Sequence, residues 1–208
     1  MDTKAFWKMS YGLYIISAKN GEKAGGCVVN TMIQVTSEPL QVTVTINKEN
    51  YTAGLIQESG YFTGIALAQS ATMELIGAFG FQSGKDKDKF EEFETKTDLN
   101  GIPYVCSQAA ARFSCKVKNT MDVGTHIVFL GEVVDAEVLS AEEPMTYAYY
   151  HTVKNGVTPP KASSYIPEPE KAKGYRCKIC GYILESDTIP EDFKCPICGR
   201  GKEELEKL

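Results

Sequence analysis

Two pairs of cysteines near the C-terminus constrain this chain more than any other feature of its sequence. Cys177 and Cys180 form one Cys-x-x-Cys pair, Cys195 and Cys198 form another, and each pair is followed by a glycine. Two sulfurs three positions apart bind one side of a tetrahedral ion only if the chain turns tightly behind them, and glycine permits the positive φ of such a turn. The spacing predicts that the four thiolates hold one metal ion, and it leaves both zinc and iron open.

The segment before these cysteines divides the chain. Residues 157–173 contain four of the nine prolines and show no hydrophobic periodicity, which predicts a linker. It separates an N-terminal domain, residues 1–156, from a C-terminal piece, residues 174–208. A piece this short is not stabilised by apolar burial alone, so we expect the metal to hold it together. We expect the linker to act as a flexible tether that allows separations on the order of 20–25 Å.

Composition and charge fit an ordinary globular protein. The 208 residues are 43% hydrophobic, and the net charge of −5 gives no general attraction to nucleic acid. The first residues lack the apolar run of a signal peptide, and no segment approaches the ~20 apolar residues of a membrane span. Seven cysteines, four of them in the metal pattern, do not fit a secreted disulfide framework, so Cys27, Cys106 and Cys115 are expected to be free thiols without chemistry. We expect a cytoplasmic protein that binds neither nucleic acid nor membrane.

Short β segments dominate the N-terminal domain. They are rich in β-branched and aromatic residues and are bounded by Gly, Asn or Pro. The predicted strands are Tyr11–Ala18, Gln41–Asn47, Phe62–Ala68, Arg112–Val117 and Ile127–Val138. The Asn20-Gly21 pair predicts a hairpin after the first of them.

Helices are few in this sequence. One is expected to begin near Asn50 and to end at Gly60, and another to span Thr72–Phe79, while Lys85–Glu94 is either a third helix or an exposed loop. Many closely spaced strands with few helices predict a mostly β (α+β) fold, an antiparallel barrel rather than a parallel doubly wound sheet.

Polar residues interrupt an apolar stretch that follows the first predicted hairpin. Asn30, Thr31, Gln34 and Thr36 are neutral donors and acceptors, as expected where a protein contacts the polar edge of a ring. The alternative is that they are solvated residues of an edge strand.

An anion site is predicted where the first helix begins. Asn50 or Thr52 would start a helix with free N–H groups, and Lys48 lies beside them. The chain has no GxGxxG or P-loop sequence, so a nucleotide cofactor would have to be held in this other way. The alternative is an ordinary helix cap.

The cysteine segment resembles a known redox family. Tyr175, Tyr182 and Phe193 flank the cysteines in the order Y-x-C-x-x-C-G-Y and F-x-C-P-x-C-G. Over residues 173–208 this resembles the abbreviated rubredoxins that are attached to larger redox proteins. The resemblance implies one iron on four thiolates, carrying one electron at a time, with the aromatic side chains excluding water. A structural zinc ribbon is the alternative.

The N-terminal domain resembles a second family over residues 1–155. The segments that carry the likeness are GCVVNTMIQVTSEP at 26–39, NKENYT at 47–52, FQSGKDKDKF at 81–90 and GTHIVFLGEV at 124–133. Together they resemble the flavin reductase-like split barrel that binds FMN. The resemblance implies that the first segment lines the isoalloxazine ring, the second holds the phosphate, and the third closes over the flavin. The flavin-binding residues it implies are Asn30, Thr31, Met32, Gln34, Thr36, Asn47, Lys48, Asn50, Tyr51, Thr52, Ser83 and Gly84.

The two histidines of the chain are further candidates. The resemblance places His126 near the flavin and the nicotinamide, where it would position the donor; without the resemblance, it reads equally well as an ordinary rim residue. His151 lies just before the linker and would approach the flavin from the end of the domain or from a partner subunit.

A flavin domain joined to a rubredoxin-like domain resembles the high-molecular-weight rubredoxins. That resemblance implies electron transfer from NADH or NADPH through FMN and one iron to a protein acceptor, a flavodiiron protein that reduces oxygen or nitric oxide, and it implies a homodimer. Two other functions stay open. One is a flavin-binding protein whose zinc ribbon contacts partners, and the other is a reductase that releases free reduced flavin.

Overall fold

A computed structural model gives the structure of this protein for residues 2–166 and 174–208. The second half of the predicted linker, residues 167–173, lies outside the described residues. No helix of the described part is long and apolar enough to cross a membrane.

The N-terminal domain is built on a seven-stranded antiparallel sheet with the strand order β2-β1-β5-β8-β9-β4-β3. Its strands are β1 (Tyr14–Asn20), β2 (Lys23–Val29), β3 (Ile33–Ser37), β4 (Leu40–Asn47), β5 (Tyr61–Leu67), β8 (Ala109–Asp122) and β9 (His126–Val138). The short strands β6 (Thr95–Thr97) and β7 (Pro103–Val105) pair with each other. The sheet curls so that β2 approaches β4, and the prediction of a mostly β antiparallel barrel is confirmed.

In the described part of the chain, three α-helices accompany the sheet: α1 (Tyr51–Ser59), α2 (Met73–Phe81) and α3 (Tyr147–Thr152). α1 is capped as predicted, because the Asn50 side chain accepts a hydrogen bond from Thr52 N and Gly60 adopts the left-handed conformation with φ 76°. α2 runs two residues past its predicted end. α3 is too short to give a helical pattern in the sequence.

The predicted hairpin is present, one residue further along than its sequence signal. Asn20 still pairs with Lys23, so Gly21 and Glu22 form the turn, and Gly21 has φ 59°. The segment Lys85–Glu94 is a loop and not a helix. The side chain of Asp88 accepts a hydrogen bond from Phe90 N, which favours a turn over a continuing helix.

Two apolar clusters stabilise the domain on opposite faces of the sheet, as the alternation of side chains along a strand requires. Ile16 of β1 points into the barrel, where it joins Phe62, Phe129 and the inner face of α1. The neighbouring Ile15 points to the other face, where α2 and the loop after it cover the sheet. α2 is therefore held tightly against the barrel.

The C-terminal domain has a three-stranded sheet, β11-β10-β12, made of β10 (Tyr175–Cys177), β11 (Ile183–Leu184) and β12 (Leu205–Lys207). A short 3-10 helix at Lys202–Glu204 precedes β12, as another at Thr3–Lys8 precedes β1. The four cysteines and Ile197 form the core of this domain, and Phe81 of α2 belongs to the same cluster. The C-terminal domain thus packs directly on the barrel domain.

Candidate functional site: a flavin pocket beside a four-cysteine centre

A cavity of about 440 Å³ opens at one end of the barrel. Apolar side chains such as Leu13, Val28 and Ile76 make up much of its wall, and a few amide and hydroxyl groups interrupt them. This size and this mixture are typical of a pocket for a small organic cofactor. We call it the flavin pocket, after the cofactor that the sequence predicts.

The structure brings together many residues that the sequence predicted for the site. They come from the turn after β2, the link between β4 and α1, the loop after α2 and the start of β9. Those that line the flavin pocket are Asn30, Thr31, Asn47, Asn50, Tyr51, Ser83, Gly84 and His126. His126 Nδ1 lies 2.8 Å from Thr125 Oγ1, and its ring also lines a second, shallower cavity next to the first.

Four predicted residues lie elsewhere. Met32 is buried in the barrel, where its sulfur occupies the space beside Gly64. Gln34 and Thr36 are exposed on the edge strand β3, and Gln34 Nε2 donates to Thr36 O. Thr52 is buried in the first turn of α1. Gln34 and Thr36 stay away from the pocket because they lie on the exposed edge strand, whereas Met32 and Thr52 are taken up by the packing of the barrel and of α1.

Lys48 is also separate from the pocket. Its Nζ lies 2.5 Å from Asp122 Oδ2, at the tip of the β8–β9 hairpin. The start of α1 is capped by its own Asn50, which accepts from Thr52 N at 2.9 Å. The anion site predicted from Lys48 and Thr52 therefore lacks its cation at the pocket.

His151 lies behind the pocket wall and not in it. Its Nδ1 lies 2.8 Å from the carbonyl oxygen of Gly156, and its ring packs edge-on against Tyr147. Burial lowers the pKa of His151, which favours the neutral ring. The aromatic residues of α3 that do line the pocket are Tyr147 and Tyr150, and neither was predicted from the sequence.

Lys89 is the most informative residue that the sequence analysis missed. Its side chain is 3% exposed and lines the flavin pocket. Among the described residues its Nζ donates to Gly26 O at 2.9 Å and to Phe79 O at 3.3 Å, and because an ammonium has three donors, these bonds leave one for a ligand. Burial lowers the pKa of Lys89 to about 8. In the sequence Lys89 lies within a run of charged residues, and only the apolar neighbour Phe90 indicates that Lys89 is buried.

The first part of the predicted linker lies across the pocket. We call residues 158–164 the strap. The Asn30 amide donates to Ser164 Oγ at 2.8 Å, the Asn47 amide donates to Lys161 O at 3.2 Å, and Lys161 pairs with Glu49. Tyr147 OH bonds to Thr158 Oγ1. This half of the segment is packed on the site and does not act as a free tether.

The four cysteines form a preorganised metal site. All four are buried, and their sulfurs lie within 4.8 Å of one another, with Cys177 and Cys198 at 3.7 Å and Cys180 and Cys195 at 3.5 Å. A tetrahedral ion with metal–sulfur bonds of about 2.3 Å requires sulfurs about 3.8 Å apart, so the set fits one tetrahedral ion.

The turns behind the sulfurs have the predicted geometry. Gly181 and Gly199 have φ values of 79° and 69°, and their N–H groups bond to the carbonyl oxygens of Cys177 and Cys195 at 2.8 Å. Hydrogen bonds from Cys180 and Cys198, with further backbone bonds, lower the pKa of Cys195. Tyr182 and Phe193 pack against the cysteine cluster, whereas the Tyr175 hydroxyl bonds to Asp187 O on the surface.

The metal site and the flavin pocket share a wall. Lys178 and Ile179, which lie between the first two cysteines, line the pocket. Phe81, at the end of α2, lines the pocket and also packs against the cysteine cluster. A cofactor in the pocket and an ion on the four sulfurs would therefore be neighbours.

Both domains match known family models. Residues 6–157 match the flavin reductase like domain, and residues 175–206 match the rubrerythrin, rubredoxin-like domain. These two models agree with the predicted flavin cofactor and the predicted rubredoxin-type iron.

Curated relatives cover either the whole chain or the barrel domain. The high molecular weight rubredoxin of Moorella thermoacetica is 42% identical and covers 100% of both chains. A ferric-chelate reductase (NAD(P)H) of Archaeoglobus fulgidus is 46% identical over 80% of this chain and 98% of its own length.

Among solved structures, the NADH:FAD oxidoreductase of Streptomyces globisporus C-1027 shares the fold. Its TM-score is 0.63, with 20% identity over 69% of this chain and 84% of that chain. With the full-length match, the two family models and the split-barrel fold, the chain belongs to the high-molecular-weight rubredoxin family, oxidoreductases that join a flavin reductase-like domain to a rubredoxin-like domain.

Proposed function

We propose that this protein takes electrons from NADH or NADPH at an FMN in the flavin pocket and delivers them, through one iron on Cys177, Cys180, Cys195 and Cys198, to a protein acceptor such as a flavodiiron protein. The observation that supports this best is the shared wall, because Lys178 and Ile179 belong to the metal site and also line the pocket. A structural zinc ribbon for partner binding would have no need of that contact.

The order of electron transfer, from NAD(P)H to the flavin and then to the iron, follows from the number of electrons that each cofactor exchanges. NAD(P)H gives two electrons as hydride, one ferric tetrathiolate accepts one, and a flavin exchanges electrons in either number. Each NAD(P)H thus supports two single-electron deliveries to the acceptor and releases one proton.

The side chains of the flavin pocket bind and orient the FMN and the nicotinamide. Asn30 and Asn47 present amides, Ser83 and Gly84 lie in the loop after α2, and His126 positions the nicotinamide. The strap excludes water from the pocket and, through Ser164 and the Lys161 carbonyl, bonds to the same Asn30 and Asn47 amides. A closed strap also disfavours the alternative of a reductase that releases free flavin.

The homodimer remains a proposal supported by the exposed edge of the sheet. Ile33 and Val35 of β3 and Leu40 of β4 are 62%, 46% and 52% exposed. An unpaired edge strand with apolar side chains is a common site of association between subunits.

Lys89 gives the first testable prediction. If its free N–H binds an oxygen of the flavin, the charged form is required, and its pKa of about 8 places the loss of that form just above neutral pH. We expect FMN affinity to weaken as the pH rises from 7 to 9, by up to about tenfold per pH unit above 8. Lys89→Met should bind FMN more weakly at pH 7 and should lose the pH dependence. Quenching of flavin fluorescence measures both.

Lys48→Ala is the matched control for Lys89→Met, because Lys48 pairs with Asp122 outside the pocket. It should leave both the affinity and its pH profile unchanged. A Lys89→Met variant that binds FMN with wild-type affinity and the wild-type pH profile would show that Lys89 does not contact the flavin.

Metal content tests the iron directly. A ferric tetrathiolate is red and loses its colour on reduction, whereas zinc is colourless. We expect one iron per chain in protein from iron-replete cells, and a visible band that bleaches when NADH is added under anaerobic conditions. Stoichiometric zinc in place of iron would contradict the proposed function and favour the zinc-ribbon alternative.

A further inference from the structure

We propose that Gly77 is a positioning residue for electron delivery. Because Gly77 has no side chain, it leaves a notch on α2, and the C-terminal domain, which we call the metal domain, packs into this notch. In that position Lys178 and Ile179 close the wall of the flavin pocket. This inference rests on the proposed function, because it assigns the residue that sets the distance between the two sites.

The contact at Gly77 leaves no room for a side chain. A Cβ at this position would lie 2.5 Å from the carbonyl oxygen of Ile197, which stands between Cys195 and Cys198. Because the obstructing atom belongs to the backbone, it does not rotate away as a flexible side chain does. The second cysteine turn is therefore in direct contact with the helix.

Backbone conformation does not explain this glycine. Gly77 is in the middle of α2 with ordinary helical geometry, where glycine is less favourable for a helix than alanine. The close approach of the Ile197 carbonyl oxygen is therefore the physical reason for a glycine at position 77.

The residues on either side of the notch complete a docking face. Met73 and Phe81 lie four positions before and after Gly77, so all three share one face of the helix. Both large side chains pack against the cysteine cluster. The opposite face of α2, with Leu75 and Phe79, packs in the core of the barrel domain.

α2 therefore contacts both the flavin pocket and the metal domain. Its C-terminal end supplies Gly80 and Phe81 to the flavin pocket, and its docking face holds the metal domain. A substituent at Gly77 would push the second cysteine turn outward, and Lys178 and Ile179 would move with it. The metal ligands and the flavin-binding side chains would themselves stay unchanged.

The test compares Gly77→Ala and Gly77→Leu with Gly54→Ala in the full-length protein. Gly54 is the matched control, because it is also a helical glycine and a Cβ there meets nothing within 4 Å. The first readout is small-angle X-ray scattering of the metal-loaded, FMN-free chain. We expect Gly77→Leu to increase the radius of gyration, Gly77→Ala to do so less, and Gly54→Ala to match the wild type.

The second readout is kinetic. After loading with FMN and iron, we expect Gly77→Leu to slow flavin-to-iron transfer several-fold and Gly77→Ala to slow it less, because the rate of electron transfer falls as the distance between donor and acceptor grows. Reduction of the flavin by NADH and of the iron by dithionite should keep their wild-type rates, which a general loss of structure would not allow.

Wild-type scattering and a wild-type transfer rate in Gly77→Leu would overturn the inference. If Gly77→Leu does not fold, Gly77→Ala decides by the same two readouts. If the iron of the wild type is not reduced through the flavin at all, the proposed function fails, while the scattering of the variants still decides whether Gly77 seats the metal domain.

Discussion

Cys180→Ser is expected to remove the iron and to abolish electron delivery to a protein acceptor, while NADH still reduces the flavin. Cys180 is fully buried, its sulfur lies 3.5 Å from that of Cys195, and a serine oxygen replaces the thiolate poorly as a ligand. The metal domain depends on this site, because structural metal ions contribute about 10–16 kcal/mol to folding in small domains. The barrel has two apolar clusters of its own and should stay folded.

Metal analysis and thermal unfolding followed by circular dichroism measure this outcome. Cys106→Ser is the matched control, because Cys106 is a free thiol that lies outside the cysteine cluster. It should keep one iron per chain and the wild-type unfolding curve. Retention of stoichiometric iron by Cys180→Ser would show that Cys180 is not a ligand.

A chain ending at residue 156 is expected to bind FMN at least about tenfold more weakly than a chain ending at residue 166, a difference of about 1.4 kcal/mol or more. Both chains lack the metal domain, so they differ only in the strap and the residues beside it. The shorter chain loses Val157, Pro159, Pro160, Lys161, Ala162 and Ser163 from the pocket wall. It also leaves the buried Tyr150 hydroxyl without Val157 O as its acceptor, at a cost of about 1–3 kcal/mol.

Titration of FMN by fluorescence, with both chains first shown to be folded, measures the difference. Equal affinities for the two chains would show that the strap takes no part in flavin binding and would support residue 156 as the end of the flavin domain.

Features that depend on neighbouring residues were predictable from the sequence. The cysteine turns close through Gly181 and Gly199, a few residues from the sulfurs they support, so spacing alone indicates the geometry. α1 starts at Asn50 and ends at Gly60 because its caps are local. The strand β2 was missed for an equally local reason, because it contains Gly25 and Gly26. The edge-strand alternative for the polar residues after it agrees with β3, which is exposed along its whole length.

Features that depend on distant contacts were not predictable. Lys48 and Lys89 both stand among charged residues, yet Lys89 is buried because Gly26 of β2 and Phe79 of α2 present carbonyl oxygens to it. The strap reads as a proline-rich linker, and nothing near Ser164 indicates that it meets Asn30 across 134 positions of sequence. In the sequence, Gly77 is recognisable only as a residue that is unfavourable in a helix.

In the proposed function, electrons enter at the flavin and leave through the iron, and anaerobic stopped flow with NADH measures this order. Flavin and iron absorbance are followed separately in the full-length protein, with and without FMN. Because the two sites share the wall formed by Lys178 and Ile179, we expect the iron to be reduced only after the flavin, at a rate independent of protein concentration, and not at all without FMN. Iron reduction that proceeds equally well in FMN-free protein, or flavin reduction that leaves the iron oxidised, would contradict the account.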